Sequence, residues 1–540
     1  MGEIAVERLR VIQDAVRGRD YARAAELAHA ELAGGVQHPL VYNVAALDLE
    51  RQGRMPEALH LLQSAVRIAP NDAPSRNALG LCLSRLERPQ EALAQFEALI
   101  ALAPSAAFAH ASRGNALLAL GELSGAEAAF HRALELDAGQ GVALARLAQI
   151  ASRRGQHAQA RDWAEKALIV LPGFPDAVMT LAAAELGERQ VPQAEERVRE
   201  LLSDPRLAPV ERAHAQGLLG DILDAGHRPA EAFAAYAACN QELRREYASR
   251  FDAQPGALDY VRGMIRYFER AQTQAWRPRP SVKSHGGNPR RHVFVLGFPR
   301  SGTTLLEVIL EGHPDVVSLE EKESLMDSVH VFMQRPEDLD RLASAPSEVL
   351  DAFRESYWKR VAAGGVAVAD KVFVDKYPLN SLKLPLIARL FPEAKVIFAC
   401  RDPRDIVLSC FRHRFQMSAP IYELLSIEGA ARYYDAVMAL VVHATRVLSL
   451  DTCLVRHEDL VTEFAREMKR ICTFLSLDWD PAMGDFALRA QFRSVLTPST
   501  AQLVRGLNTE GLGHWHRYRS QLEPVLPILD HWIKRFYYDP

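Results

Sequence analysis

The chain has 540 residues, of which 48% are hydrophobic, 24% charged and 8% aromatic. That is the profile of a globular protein with about three domain-sized units, which excludes global disorder and a single compact core. Its 64 Lys and Arg stand against 68 Asp and Glu, a formal net charge of −4, so no overall field draws it to nucleic acid or anionic lipid, and any anion site must be local.

The first 26 residues carry charges every few positions and contain no apolar stretch of the kind a signal peptide needs. Nowhere do about 18 apolar residues run together, so no membrane span is expected and a cytoplasmic location is predicted. Six cysteines, Cys82, Cys239, Cys400, Cys410, Cys453 and Cys472, are scattered without a C-x-x-C pair or a close Cys/His cluster. They read as small buried hydrophobes, and no metal site is expected.

From the amino terminus the strongest signal is a period of 34 residues, which relates Ala58, Ala92, Ala126, Ala160 and Ala194. The turn before this alanine holds Gly53, Glu87, Gly121 and Gly155, and the break after it holds Pro70, Pro104, Ala138 and Pro172. Gly80, Gly114, Ala148 and Ala182 occupy a third register, and Ala24 extends the phase backward. Small residues let helices approach closely while Gly and Pro mark helix ends, so each period predicts a helix-turn-helix pair. After Leu201 the pattern loosens. Gly220 and the segment 226–232 predict one further unit with an inserted residue. This pattern resembles tetratricopeptide repeats over residues 5–250, which implies an α-solenoid whose concave surface holds a polypeptide partner.

Between Thr273 and Arg291 the chain is rich in Pro, Gly, Lys and Arg, which predicts a solvated linker and a domain boundary. The organisation expected is a repeat solenoid over 1–250, a connecting helix and linker over 251–291, and a second domain over 292–540.

The second domain opens on an apolar run, 292–298, suited to a buried parallel strand. It stops at Gly297-Phe298-Pro299-Arg300-Ser301-Gly302-Thr303-Thr304, and a helical pattern follows. Strand, glycine-containing loop and helix start together make an anion cradle, because unpaired N–H groups and the positive helix end face one spot. The G-x-x-x-x-G spacing echoes a nucleotide-binding loop, yet Thr303 stands where that motif has Lys, and no convincing strand-borne Asp for magnesium follows. Arg300 is the cation left inside the loop, able to fork two oxygens of a phosphate or sulfate.

About 100 residues on, the strand-like run 395–400 leads into Arg401-Asp402-Pro403-Arg404-Asp405 and a helix carrying Ser409. Arg401 and Ser409 are candidates for a second phosphate, whereas Arg404 is expected to pair with Asp402 or Asp405. Together, GFPRSGTT and CRDPRDIVLSCF resemble the two phosphate-binding segments of the sulfotransferases, and the similarity runs over most of 290–540. Within that family the sequence is most similar to the tyrosylprotein sulfotransferases and to bacterial proteins that fuse tetratricopeptide repeats to such a domain.

The resemblance implies an α/β P-loop-like sulfotransferase domain with a central parallel sheet, which uses 3′-phosphoadenosine 5′-phosphosulfate (PAPS), leaves the bisphosphate PAP and needs no metal. Pro299, Arg300, Ser301, Gly302, Thr303 and Thr304 map onto the 5′ end of the cofactor, and Arg401 and Ser409 onto its 3′-phosphate. HPDVVSLEEKES resembles the stretch that holds the catalytic base, which implies Glu321 in that role, with Glu320 pointing elsewhere. A glutamate in a partly dry cleft is a sensible proton acceptor for a hydroxyl attacking sulfur. VFVDKYPLN implies that Lys376 neutralises charge on the leaving group. The late stretch STAQLVRGLNTEGLGHW maps Ser499 onto a cofactor-binding hydroxyl and His514 onto a catalytic position where the tyrosine enzymes carry Lys. Histidine there brings a charge that ordinarily depends on pH near neutrality. Glu323 departs too, because the tyrosine enzymes have a basic residue at that place.

Trp515 and Phe536-Tyr537-Tyr538 are expected to pack, and His313 to shape its loop. The acceptor implied is a hydroxyl on a polypeptide, such as a tyrosine, or on another molecule. Two other classes fit less of the pattern: a P-loop kinase, which lacks its Lys here, and a non-catalytic repeat scaffold with a degenerate second domain.

Overall fold

The computed structural model describes residues 3–252, 255–278, 289–490, 506–509 and 511–538. They form two compact units, which divide within 153–155 and after Ala184: the described residues up to 152 and 156–184 make one, and 153–155 with the described residues from Glu185 onward make the other.

The first unit is a run of antiparallel helix pairs, such as Pro39–Arg51 with Met55–Ile68 and Ala73–Arg85 with Pro89–Leu102. The alanines in phase, Ala24, Ala58, Ala92, Ala126 and Ala160, have no exposed surface at all. Three of the turns hold glycine with positive φ, +77° at Gly53, +78° at Gly121 and +73° at Gly155, and Glu87 adopts the same conformation at +56°. The shape of the turn, not the residue, is what repeats; glycine merely removes its steric cost. In two of these pairs, the small position faces an aromatic residue sixteen places on. A methyl group on Gly80 would sit 2.5 Å from the Phe96 ring, and one on Gly114 would sit 2.6 Å from Phe130. Small and large residues thus interlock across the helix pair.

The second unit continues the helical run with Val191–Ser203 and then α1 (Pro209–Ala225) and α2 (Pro229–Phe251). Here the sequence expectation needs correction. Ala232 follows Ala194 by 38 residues, so the insertion is four residues, about one helical turn. It lengthens α1 to 17 residues, against 13 in the helix Pro175–Gly187. The interlock survives, since a methyl on Gly220 would lie 2.4 Å from the Tyr236 ring. A helix, Ala257–Arg270, comes next. The solvated linker expected between Thr273 and Arg291 is corrected at its start, while residues 279–288 lie outside the described residues: Trp276 is buried against the Arg389 guanidinium, 5.9 Å from its ring centre, and Arg389 donates to the Arg277 carbonyl at 2.7 Å.

Five parallel strands follow, β1 (Arg291–Gly297), β2 (Val316–Glu320), β3 (Val372–Lys376), β4 (Lys395–Cys400) and β5 (Asp451–Arg456), in the order β2-β3-β1-β4-β5. Val293 stands opposite Val374 on one side and Lys395 on the other. Both faces are covered, as a parallel sheet requires. Val293, Val295, Val374, Ile397 and Val455 belong to an aliphatic core with Leu306, Ile309 and Ile471. On the other face Phe294 and Phe373 pack with His292, Tyr357 and Trp358. Two helices matter for the site: α3 (Thr303–Leu310) after β1 and α4 (Pro403–Arg412) after β4. The chain leaves β1 for β2 on one side of it and leaves β4 for β5 on the other, so a crevice opens at the carboxyl ends of the neighbours β1 and β4.

Candidate functional site

Each candidate group sits just past the carboxyl end of a strand: Arg300 after β1, Glu321 after β2, Lys376 at the end of β3, Arg401 after β4. A cavity of about 310 Å³ opens there, and its walls include Arg300, Gly302, Arg401, Ser409, His457 and His514. That volume falls within the ~300–1,000 Å³ of small-molecule sites.

The first loop is bent into shape by two residues with positive φ, Arg300 at +71° and Gly302 at +97°. A side chain at Gly302 would meet His457 Nδ1 at 2.6 Å, and one at Gly297 would meet the Ala399 carbonyl and Ser301 Oγ, each at 2.5 Å. The glycines therefore let the loop lie flat against β4 and the chain after β5. Thr303 and Thr304 are buried at the first turn of α3, whose leading amides have no partner within the helix. Ser301 is 1% exposed, and its Oγ has no hydrogen-bond partner among the described residues. Pro299 lies behind the loop, its carbonyl accepting from the Cys410 thiol at 3.4 Å.

The two segments meet where Arg300 Nε donates to Ser409 Oγ at 3.0 Å, across 109 residues of chain. Desolvation, abetted by the positive charges of Arg401 and Arg412, pushes the Arg300 guanidinium down to about 10, so it stays cationic at neutral pH; the Glu321 carboxylate pulls the other way. Arg401 donates from Nη2 to the Gly511 carbonyl and lies 3.5 Å from Asp405, while its Nε is sealed from solvent without a partner among the described residues. Arg404 pairs with Asp402, at 3.0 and 2.8 Å, and covers the Trp515 ring at 3.9 Å. Asp405 accepts from the amides of Gly513 and Trp515 at 2.8 and 2.9 Å and thereby fastens the late loop to α4.

At the end of β3, and not among the residues that line the cavity, Lys376 is fully buried between two carboxylates, 2.6 Å from Glu321 Oε1 and 3.3 Å from Glu307 Oε2. Glu307 is itself held by Ser318, whose Oγ donates at 3.1 Å. The Glu321 side chain keeps 36% of its surface open, so it borders solvent while its counter-ion does not. Glu323, where a basic residue belongs in the resemblance, pairs with Lys383 at 2.5 Å. The late-loop residue His514 is a wall of the cavity, with its Nε2 3.2 Å from Asp224 Oδ2 and in hydrogen-bond contact with Arg412 Nη1. Ser499 lies outside the described residues. His313 takes the loop-shaping role, accepting the Asp315 amide at 3.0 Å on Nδ1. Trp515 and Phe536 are buried and Tyr538 donates to Glu458 at 2.7 Å, whereas Tyr537 is 86% exposed.

Two contributors escaped the sequence reading. His457 opens the short helix His457–Thr462 directly after β5. Desolvation, then the charges of Arg401 and Arg300, holds its imidazole at about 3 and therefore neutral, and its Nδ1 has no partner among the described residues. Its signal was its position, a polar residue at the end of a parallel strand. The other is Asp224 on α1, which lines the same cavity.

Two sealed polar atoms, Arg401 Nε and His457 Nδ1, thus stand without partners among the described residues, on residues that line one cavity walled by three arginines, Arg300, Arg401 and Arg412. Buried groups of this kind are normally satisfied, and a bound polyanion would satisfy them. The residues therefore fit a bisphosphorylated nucleotide.

Comparison with known proteins agrees with this geometry. Residues 292–481 match the model of the Sulfotransferase family, and residues 37–105, 77–143 and 113–177 match tetratricopeptide repeat models. The chain therefore carries a sulfotransferase-family domain after tetratricopeptide repeats. An uncharacterized protein of Aquifex aeolicus is 26% identical over 54% of this chain and 40% of its own length. Protein-tyrosine sulfotransferase A of Caenorhabditis elegans is 26% identical over 48% of this chain and 71% of its own, and protein-tyrosine sulfotransferase 1 of Danio rerio 26% over 46% and 72%. The chain thus spans less than half of the first of these relatives and about seven-tenths of the other two.

Proposed function

We propose that this chain is a PAPS-dependent sulfotransferase that moves a sulfuryl group onto an acceptor hydroxyl, with a protein tyrosine as the acceptor. The observation that carries this reading is the 3.0 Å contact between Arg300 and Ser409, which joins the two segments at one cavity that Arg401 also lines. Arg300, Ser301, Gly302, Thr303 and Thr304 would hold the 5′ end of the donor, and Arg401, Ser409 and His457 its 3′-phosphate. Bound there, PAPS supplies an activated sulfuryl group. Glu321 accepts the proton of the attacking hydroxyl, and its partly open side chain lets the acceptor reach it. Lys376 fixes the orientation of that carboxylate and contributes positive charge near it, and His514 offers a hydrogen-bonding ring at the cavity wall.

Two relatives named as protein-tyrosine sulfotransferases favour a tyrosine acceptor, and the repeats favour recruitment of a polypeptide on their concave face. All six cysteines are free and buried, which suits a reducing, cytoplasmic compartment. No helix among the described residues is long and apolar enough to cross a membrane. The test is incubation of the purified chain with labelled PAPS and an extract of the source cells, followed by hydrolysis of the labelled product. The expected result is label on protein tyrosine, lost on Arg300→Ala. Turnover of ATP with magnesium and no use of PAPS would contradict it.

A further inference from the structure

The helix α1 precedes β1 by 66 residues and belongs by its sequence pattern to the helical repeats, yet it ends inside the nucleotide cavity. Asp224, its penultimate residue, is 6% exposed and lines that cavity. Its carboxylate accepts from Arg412 Nη2 at 2.7 Å and from the Tyr518 hydroxyl at 2.7 Å, and lies 3.2 Å from His514 Nε2 and 3.1 Å from Arg517 Nη2. Its main-chain carbonyl accepts from Arg517 as well, at 2.6 Å. One residue thus gathers the end of α4, which carries Ser409, and the late-loop segment 514–518.

The hairpin that presents Asp224 is seated on the same helix end. Asn240 donates to the Phe411 carbonyl at 2.8 Å, Phe233 stacks on Phe411 at 4.9 Å, and Asp221 receives Arg414 at 2.7 Å. Gly217 makes that last contact possible, since a methyl there would meet Arg414 Nη1 at 2.6 Å. Burial alone would raise the Asp224 pKa, but hydrogen bonds from His514 and Tyr518 and the charge of Arg412 hold it far below the usual carboxylate range. It is therefore ionised at neutral pH, a negative pivot for the four side chains of Arg412, His514, Arg517 and Tyr518.

We infer that Asp224 is a positioning residue of the sulfotransferase site, by which the hairpin of α1 and α2 holds Arg412 and His514 in the wall of the cofactor cavity. This rests on the proposed function. The hairpin is accordingly part of the enzyme, and the domain beginning at β1 lacks one wall of its site without it. Asp224 touches no reacting group; it acts through the residues it holds. Its loss lets Arg412 and His514 leave their places, which weakens the grip on the bisphosphate.

The experiment is calorimetric titration of the full chain with PAP, alongside steady-state kinetics with PAPS and a melting curve for each variant. Asp224→Asn, which keeps the shape and removes the charge, is expected to weaken PAP about tenfold and to raise the KM for PAPS more than it lowers kcat. Asp221→Asn is the control, since it breaks a link of the same hairpin outside the cavity; it should leave PAP affinity within about twofold even where it lowers the melting temperature. Tyr518→Phe, which removes one donor to Asp224 with little change of shape, should weaken PAP about threefold. If Asp224→Asn and Tyr518→Phe bind PAP as the wild type does, the inference is wrong while the proposed function stands. Equal loss from Asp221→Asn and Asp224→Asn also overturns it, by reducing the hairpin to a stabilising element. Failure of the wild-type chain itself to bind PAP would instead remove the proposed function.

Discussion

The ammonium of Lys376 lies 2.6 Å from the carboxylate of Glu321, and the lysine is completely buried whereas the glutamate is not. A second carboxylate, Glu307, shares the lysine at 3.3 Å and is buried with it. The lysine is therefore needed to keep two carboxylates tolerable side by side, and the outer of the two, Glu321, is the one open to solvent.

Removal of each partner should have a different consequence. Glu321→Ala leaves Lys376 paired with Glu307, so fold and PAP affinity should be retained within about twofold while transfer from PAPS falls by two orders of magnitude or more, a typical worth of a general base. Lys376→Met leaves Glu307 buried without its counter-ion and should cost about 3 kcal/mol in denaturant unfolding. Full turnover by Glu321→Ala would remove it from the proton-accepting role, and an unchanged unfolding midpoint for Lys376→Met would contradict the buried charge balance.

The repeat core allows a test of steric interlock. Gly80→Ala drives a methyl group to 2.5 Å from the Phe96 ring, and overpacking of this kind costs about 1–3 kcal/mol. Phe96→Leu in the same chain should recover part of that loss, because the smaller side chain leaves the ring position. Melting curves of the single and double variants check it. Additive destabilisation would mean that the two positions do not share one volume.

Asp375, on β3 beside Lys376, gives a pH dependence of unusual sign. Burial raises its carboxyl to about 7, against the lowering effects of the Tyr357 hydroxyl and Lys383. The folded chain therefore keeps a proton on Asp375 up to near neutrality, while the unfolded chain releases it near pH 4. Because the folded state binds more protons between about pH 4 and 7, this group's contribution to stability declines as pH rises through that window. Asp375→Asn keeps the acceptor for Tyr357 and cannot ionise. Its stability relative to the wild type should improve steadily from about pH 4 to 7 and level off above, as read from urea midpoints at each pH. A constant difference over that range would show that Asp375 does not titrate there.

Much of this was legible in the chain. The 34-residue period foretold the helix pairs because burial at Ala58, Ala92, Ala126 and Ala160 permits nothing larger. The run 395–400 coincides with β4 because a strand covered on both faces must be continuously apolar. Strand-loop-helix grammar set Arg300 in one anion loop and Arg401 with Ser409 in another, whereas the joining of the two loops in one site was implied by the resemblance to the sulfotransferases. What stayed hidden depends on long-range packing. Asp224 reaches Arg412 across 188 residues, and nothing in the sequence around it marks it from any helix-end aspartate. The four-residue insertion looked smaller because a full turn leaves the helical phase nearly unchanged. Trp276 was read as part of a linker because its neighbours are polar, yet Arg389, more than 100 residues away, supplies its partner.

The central claim is that one cavity grips both ends of a bisphosphorylated nucleotide, with Arg401 serving the 3′ end. Calorimetric titration with PAP and with adenosine 5′-phosphate, which lacks the 3′ group, tests it most directly. Wild-type chain should bind PAP at least about tenfold more tightly, the worth of one charge-assisted contact. Arg401→Ala should abolish that preference while binding of adenosine 5′-phosphate is unchanged, and Arg300→Ala should weaken both ligands alike. A wild-type chain indifferent to the 3′-phosphate, or an Arg401→Ala variant that keeps the preference, would contradict the account.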